Sequence, residues 1–96
     1  MDNNIFLGNE VEKKVSVFFK TLSDPTRIKI IYALRKESLS VGEIVSKLNM
    51  TQSAVSHQLR ILRDVNLVDF EKKGKEVYYT LSDNHVYSIF DQVIEH

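Results

Sequence analysis

Thr51-Gln52-Ser53-Ala54-Val55-Ser56-His57-Gln58-Leu59-Arg60 reads as the opening of an amphipathic helix. Thr51 is a favoured N-cap residue. Val55, Leu59 and Leu62 follow at spacings of four and three, one buried stripe on a helix from Gln52 to about Asp64. Gln52, Ser53, Ser56, His57 and Arg60 fall outside that stripe, short or medium polar side chains gathered toward the helix start. A helix that reads the major groove enters with its N-terminal end and offers such side chains to base edges. Gln pairs with adenine, Arg with guanine and Ser with several partners. The free N–H groups of the first turn also suit phosphate. The alternative is an ordinary solvated polar face, so the surrounding elements decide.

Upstream, Ser40-Val41-Gly42-Glu43 matches a capping box and opens a short helix to about Leu48, joined to the first stretch through Asn49-Met50. Residues 9–22 form a first helix carrying Val11, Val15, Phe18, Phe19 and Leu22 near helical spacing. Ser23-Asp24-Pro25 stops it and starts a second helix that runs to about Lys36. That second helix places Ile28, Ile31 and Leu34 inward and Lys29, Arg35 and Lys36 outward.

Downstream, Leu67 to Glu71 alternates, Lys72-Lys73-Gly74-Lys75 turns, and Glu76 to Leu81 alternates again: a β-hairpin. Lys72, Lys73 and Lys75 surround Gly74 at its tip, where ammonium groups can reach a phosphate backbone. Lys29, Arg35, Lys36 and Lys47 are weaker phosphate candidates. Ser82 or Asp83 starts a last helix with Val86, Ile89, Phe90 and Val93 apolar. The order α-α-α-α-β-β-α, mainly α with a small β-hairpin, is the layout of a winged helix-turn-helix.

The chain has 96 residues, 13 Lys+Arg, 13 Asp+Glu, no Cys and a formal net charge of zero. That length points to a single domain over 1–96, with 1–8 a flexible lead-in, and to a core thin enough that an oligomer would help. Zero is the sum of unlike segments. Residues 13–36 carry +6, whereas residues 1–12 and 81–96 carry −3 each. The absence of Cys excludes disulfides, thiolate nucleophiles and thiolate metal sites. With no paired catalytic carboxylates and no phosphate-binding Gly loop, an enzyme is not expected. No window of 18 apolar residues is present, so no membrane partner is expected and the cytoplasm is the default compartment.

Three stretches together resemble the ArsR/SmtB family of bacterial winged-helix metal-sensing repressors. They are Leu22-Ser23-Asp24-Pro25-Thr26-Arg27-Ile28, Thr51 to Leu59, and the hairpin end Val77-Tyr78-Tyr79-Thr80-Leu81. The resemblance covers about residues 10–96. It implies a homodimer joined through the first and last helices on an inverted-repeat, double-stranded operator, and an inducer that weakens DNA binding. It carries the family's recognition positions onto Gln52, Ser53, Ser56 and His57. The arsenic- and cadmium-sensing branches place cysteines around the third helix. Here that stretch is Leu39-Ser40-Val41-Gly42-Glu43-Ile44, so thiophilic metals are not expected.

Any metal must use His, Asp or Glu. His85 and His96 lie eleven residues apart on the last helix. They share a face but are separated by roughly 16 Å of rise, and one ion bound at ~2.0–2.1 Å cannot touch both within one chain. Two antiparallel copies would bring Asp83 and His85 of one to His96 of the other, giving two symmetric sites. The pattern is similar to the family's last-helix site for zinc, cobalt or related ions, in which a further His or Glu follows three residues later. Past His96 that ligand has no residue, so a water, the terminal carboxylate or Glu95 completes the shell, or the site is degraded. Zn(II) is the expected inducer, Co(II) or Ni(II) also fit, and DNA binding itself needs no cofactor. The competing interpretations give Asp83 a capping role and leave a repressor with a non-metal signal or none, or a winged helix that binds protein instead of DNA.

Overall fold

The computed structural model describes residues 5–96; residues 1–4 of the lead-in expected at 1–8 lie outside the described residues. Gly8, within that lead-in, is already the N-cap residue of the first helix, and its carbonyl accepts the Glu12 N–H at 2.9 Å. Five helices and three short strands follow: α1 (Asn9–Leu22), α2 (Pro25–Ala33), β1 (Leu39–Ser40), α3 (Val41–Leu48), α4 (Gln52–Asp64), β2 (Val68–Lys73), β3 (Glu76–Leu81) and α5 (His85–Glu95). The chain is a winged helix-turn-helix, mainly α with a small β-sheet.

The caps written in the sequence form as expected. Asp24 accepts the N–H groups of Thr26 at 2.8 Å and Arg27 at 3.3 Å, and Pro25 occupies the first position of α2, where no N–H is needed. Ser40 and Glu43 exchange hydrogen bonds as a capping box, at 3.1 and 2.8 Å. The Thr51 hydroxyl takes the Ala54 N–H at 3.1 Å. Asn49 closes α3 in the left-handed conformation, φ 53° and ψ 48°, which its short polar side chain tolerates. This allows the tight corner into α4.

Four details differ from expectation. The second helix ends at Ala33, short of Lys36: Leu34 is its C-cap residue, with its N–H shared between the carbonyls of Ile30 and Ile31 as the last turn tightens. Its buried side is Ile30, Ile31 and Leu34, whereas Ile28 faces outward. The hairpin gains a third strand: β1 pairs with β3 through Leu39↔Tyr79 and Ser40↔Tyr78, in the order β1-β3-β2. Two residues are too few to show alternation, so this pairing has no local signature. The last helix begins at His85, two or three residues later than Ser82 or Asp83.

The core lies between α2, α3, α4 and the sheet, with Ile30, Ile31, Ile44, Val55, Leu59 and Leu62 fully buried. The first helix contributes little to it. Only Leu22 and Thr21 are buried there, and Val11, Val15 and Phe19 are exposed. Of the expected stripe on α1, Leu22 joins the core and half-buried Phe18 packs against it, whereas Val11, Val15 and Phe19 stay exposed in the protomer. The radius of gyration is 15.3 Å and the long axis 53 Å, against about 12.5 Å for a compact chain of this length. Among the described residues no helix is long and apolar enough to cross a membrane.

Candidate nucleic-acid interface

The helix α4 separates its two faces cleanly. Val55, Leu59 and Leu62 are buried against the core, while Gln52, Ser53, Ser56, His57 and Arg60 are all exposed. The polar set crowds toward the helix start, beside the Thr51 cap. The first-turn N–H groups and the positive end of the helix dipole therefore lie beside side chains able to donate and accept.

The hairpin puts Lys72, Lys73 and Lys75 at one end of the sheet, but not all on a turn. Lys72 and Lys73 belong to β2, where they pair with Val77 and Glu76, and the turn itself is only Gly74-Lys75. The register continues to the strand ends, because a two-residue connection closes the hairpin and Gly74 supplies the positive φ of 63° it requires. Neighbouring strand residues point to opposite faces, so Lys72 and Lys73 cannot act together on one phosphate. The Lys73 ammonium is 3.5 Å from the Glu71 carboxylate and 5.3 Å from the centre of the Tyr78 ring. All three lysines are exposed.

Of the weaker phosphate candidates, Lys29, Lys36 and Lys47 are exposed. Arg35 is not free: its guanidinium lies 3.7 Å over the Tyr32 ring and donates to the Tyr32 carbonyl. Sequence reasoning missed two other arginines. Arg63, in the last turn of α4, stacks 4.0 Å over Phe70 of β2 and so joins the helix to the wing. Arg27, on α2, donates to Gln58 of α4 at 2.9 Å. Both contacts join residues far apart in the chain or in different elements, and no local pattern signals them.

The histidine residues divide as the helix length requires. Asp83 and His85 come together, with Oδ1 of Asp83 3.4 Å from Nδ1 of His85, and both are exposed. His96 sits at the opposite end of α5. Among the described residues no three His, Asp, Glu or Cys side chains of one protomer converge on a point. The N-cap residue of α5 is Asn84, which makes no side-chain cap bond; Asp83, one residue earlier, accepts the His85 N–H at 2.8 Å.

The remaining feature is apolar. Phe19, Ile28, Tyr32, Phe90, Val93 and Ile94, from α1, α2 and α5, line a groove of about 740 Å³, and Val93 and Ile94 are 69% and 67% exposed.

Residues 24–69 match the family model described as a bacterial regulatory protein of the arsR family. An HTH-type transcriptional regulator, NmtR, of Mycobacterium tuberculosis is 37% identical over 94% of this chain and 75% of its own length. The chain belongs to the arsR family. An SmtB homologue of Synechocystis, named a transcriptional repressor, is 40% identical over 88% of the chain. The chain spans 64% of that relative's length. Reduced HlyU of Vibrio cholerae superposes with a TM-score of 0.80 at 34% identity, over 88% of each chain. The family is described as bacterial regulatory proteins, and the two curated relatives are named a transcriptional regulator and a transcriptional repressor. The fold explains how α4 is presented: α3 and the capped corner at Asn49 back it, while the wing extends beside it.

Proposed function

We propose that this arsR-family chain is a transcriptional repressor that binds an inverted-repeat operator as a homodimer and releases it when a transition-metal ion, zinc foremost, is bound. The observation that carries the DNA-reading part is the division of α4. Fully buried aliphatic residues fix one face, and the exposed opposite face holds Gln52, Ser53, Ser56, His57 and Arg60. Base edges are read by side chains of this kind at a helix start, and Lys72, Lys73 and Lys75 contribute phosphate attraction at the wing.

The dimer reading is supported by the exposed Val11, Val15 and Phe19 of α1 and the exposed end of α5. Two copies meeting along these helices would cover both, and would set the two α4 helices at about 34 Å for successive half-sites. The metal reading is supported by the Asp83–His85 donor pair, placed where a second copy could add His96. A bound divalent ion would supply cross-linking charge there, and Co(II) or Ni(II) suit the same oxygen and nitrogen donors. The chain's own contribution is to hold the pair at the start of α5. Because metal and operator would favour different dimer geometries, each would weaken the other by the same factor.

A titration of operator binding, with and without saturating zinc, tests this. Tight binding that zinc weakens supports it, and unchanged affinity at saturating zinc rejects the metal switch. One observation favours a second reading, a repressor with a non-metal signal or none. Among the described residues of one protomer no third donor joins Asp83 and His85, and Asp83 already accepts the His85 N–H.

A further inference from the structure

The outer carbonyls of a helix C-terminus have no intrahelical partner. One such group, the Thr21 carbonyl near the end of α1, accepts from Nη1 of Arg27 at 3.3 Å. The same guanidinium uses Nε to donate to Oε1 of Gln58 on α4, at 2.9 Å. Arg27 thus joins α1 to α4 through one planar group, and its own backbone N–H is held by Asp24 at 3.3 Å. Both Arg27 and Gln58 are half-buried, and Gln58 adjoins His57 in the chain.

We propose that Arg27 is a positioning residue that sets the rotation of α4 about its own axis, and thereby how well the protein tells one base sequence from another. The inference rests on the DNA-reading assignment of α4. Burial of Val55, Leu59 and Leu62 holds α4 against the core, but apolar contact is not directional. A hydrogen bond is: it weakens steeply as its angle departs from linear. The bond to Gln58 lies beside the buried stripe, where it resists a roll of the helix. Base-edge contacts need that roll fixed, whereas phosphate contacts carry no sequence information and tolerate more. A lysine at this place has one nitrogen where two acceptors on separate helices require a fork. Because the other acceptor lies on α1, which carries the exposed Val11, Val15 and Phe19, the same group ties the proposed dimer helix to the reading helix.

The test uses the full chain, a duplex selected by the wild type from a random pool, and a scrambled duplex of equal length and composition. Arg27→Met and Gln58→Leu are each expected to weaken binding to the selected duplex about tenfold, the scale of one good base contact. Binding to the scrambled duplex should stay within about twofold, since it depends on phosphate neutralisation. The double variant should be no worse than either single one, and Arg27→Lys should be intermediate. Unchanged discrimination, equal losses on both duplexes, or additive losses in the double variant would each overturn the inference. If the wild type selects no duplex, the DNA-reading assignment itself fails, an outcome separate from any behaviour of the variants.

Discussion

Oδ1 of Asp83 accepts the His85 backbone N–H at 2.8 Å and lies 3.4 Å from Nδ1 of the same histidine. The bond that holds the first N–H of α5 and the proposed metal donors are therefore one local structure. A carboxylate that accepts one hydrogen bond keeps lone pairs for a cation, so the two roles are compatible. They can also be separated. Asparagine keeps a side-chain oxygen to accept the His85 N–H but supplies no charge, so Asp83→Asn should leave thermal stability within about 0.5 kcal/mol of the wild type. It should weaken Co(II) binding by at least about tenfold, the least expected for loss of a group in or around a metal shell. His85→Ala and His96→Ala should abolish the visible Co(II) bands. Persistence of those bands in His85→Ala would remove the metal site from this helix.

The exposed apolar groups predict where association can be broken without unfolding the protomer. Phe19 is 54% exposed and Val93 69%, so neither contributes much to the protomer core. Phe19→Asp or Val93→Asp should give a folded monomer by sedimentation equilibrium, with operator affinity lost along with the second half-site. Leu59→Ala is the contrast. Leu59 is fully buried, and its truncation should cost about 2–5 kcal/mol of stability. A dimer that survives both charged substitutions would place the interface elsewhere.

The wing lysines are not equivalent. Lys73 is already engaged by Glu71 and lies near Tyr78, whereas Lys75 sits on the turn itself. Each phosphate neutralised contributes about −0.9 to the slope of log affinity against log salt. Lys75→Ala should therefore reduce the magnitude of that slope by about 1, weakening binding similarly on all sequences. Lys73→Ala should change it less. Equal slopes for wild type and Lys75→Ala would take the turn off the DNA.

How much of this was legible in the sequence follows from the range over which each signal acts. The capping box at Ser40 and Glu43, the Asp24-Pro25 start and the Val55, Leu59 and Leu62 stripe are local, and each formed within a residue or so of its expected place. Features set by tertiary contact were not legible. The strand at Leu39–Ser40 exists only because β3 is beside it, and the inward position of Ile30 in place of Ile28 depends on how α2 meets α3 and α4. The run Lys72-Lys73-Gly74-Lys75 marks a turn, but strand register puts Lys72 and Lys73 on β2. Arg27 and Gln58 are 31 positions apart, so neither residue announces the other. Val11, Val15 and Phe19 of α1 have the spacing of a core face yet are exposed in the protomer, because only the end of that helix reaches the core.

The corner between α1 and α2 carries the last prediction. The Asp24 side chain satisfies two of the free N–H groups of α2, at 2.8 and 3.3 Å, and the second of these belongs to Arg27. Asp24→Ala leaves both without an intramolecular partner and should cost about 1 kcal/mol, a fall in Tm of about 4–8 °C for a domain of this size. Asp24→Asn keeps an accepting oxygen and should recover most of the loss. Because the cap also anchors the residue that reaches Gln58, Asp24→Ala should lower discrimination between the selected and scrambled duplexes at temperatures well below its Tm. A substitution that lowers Tm but leaves discrimination intact would show that Arg27 holds α4 without help from the cap. The tie would then depend on the guanidinium and its two acceptors alone.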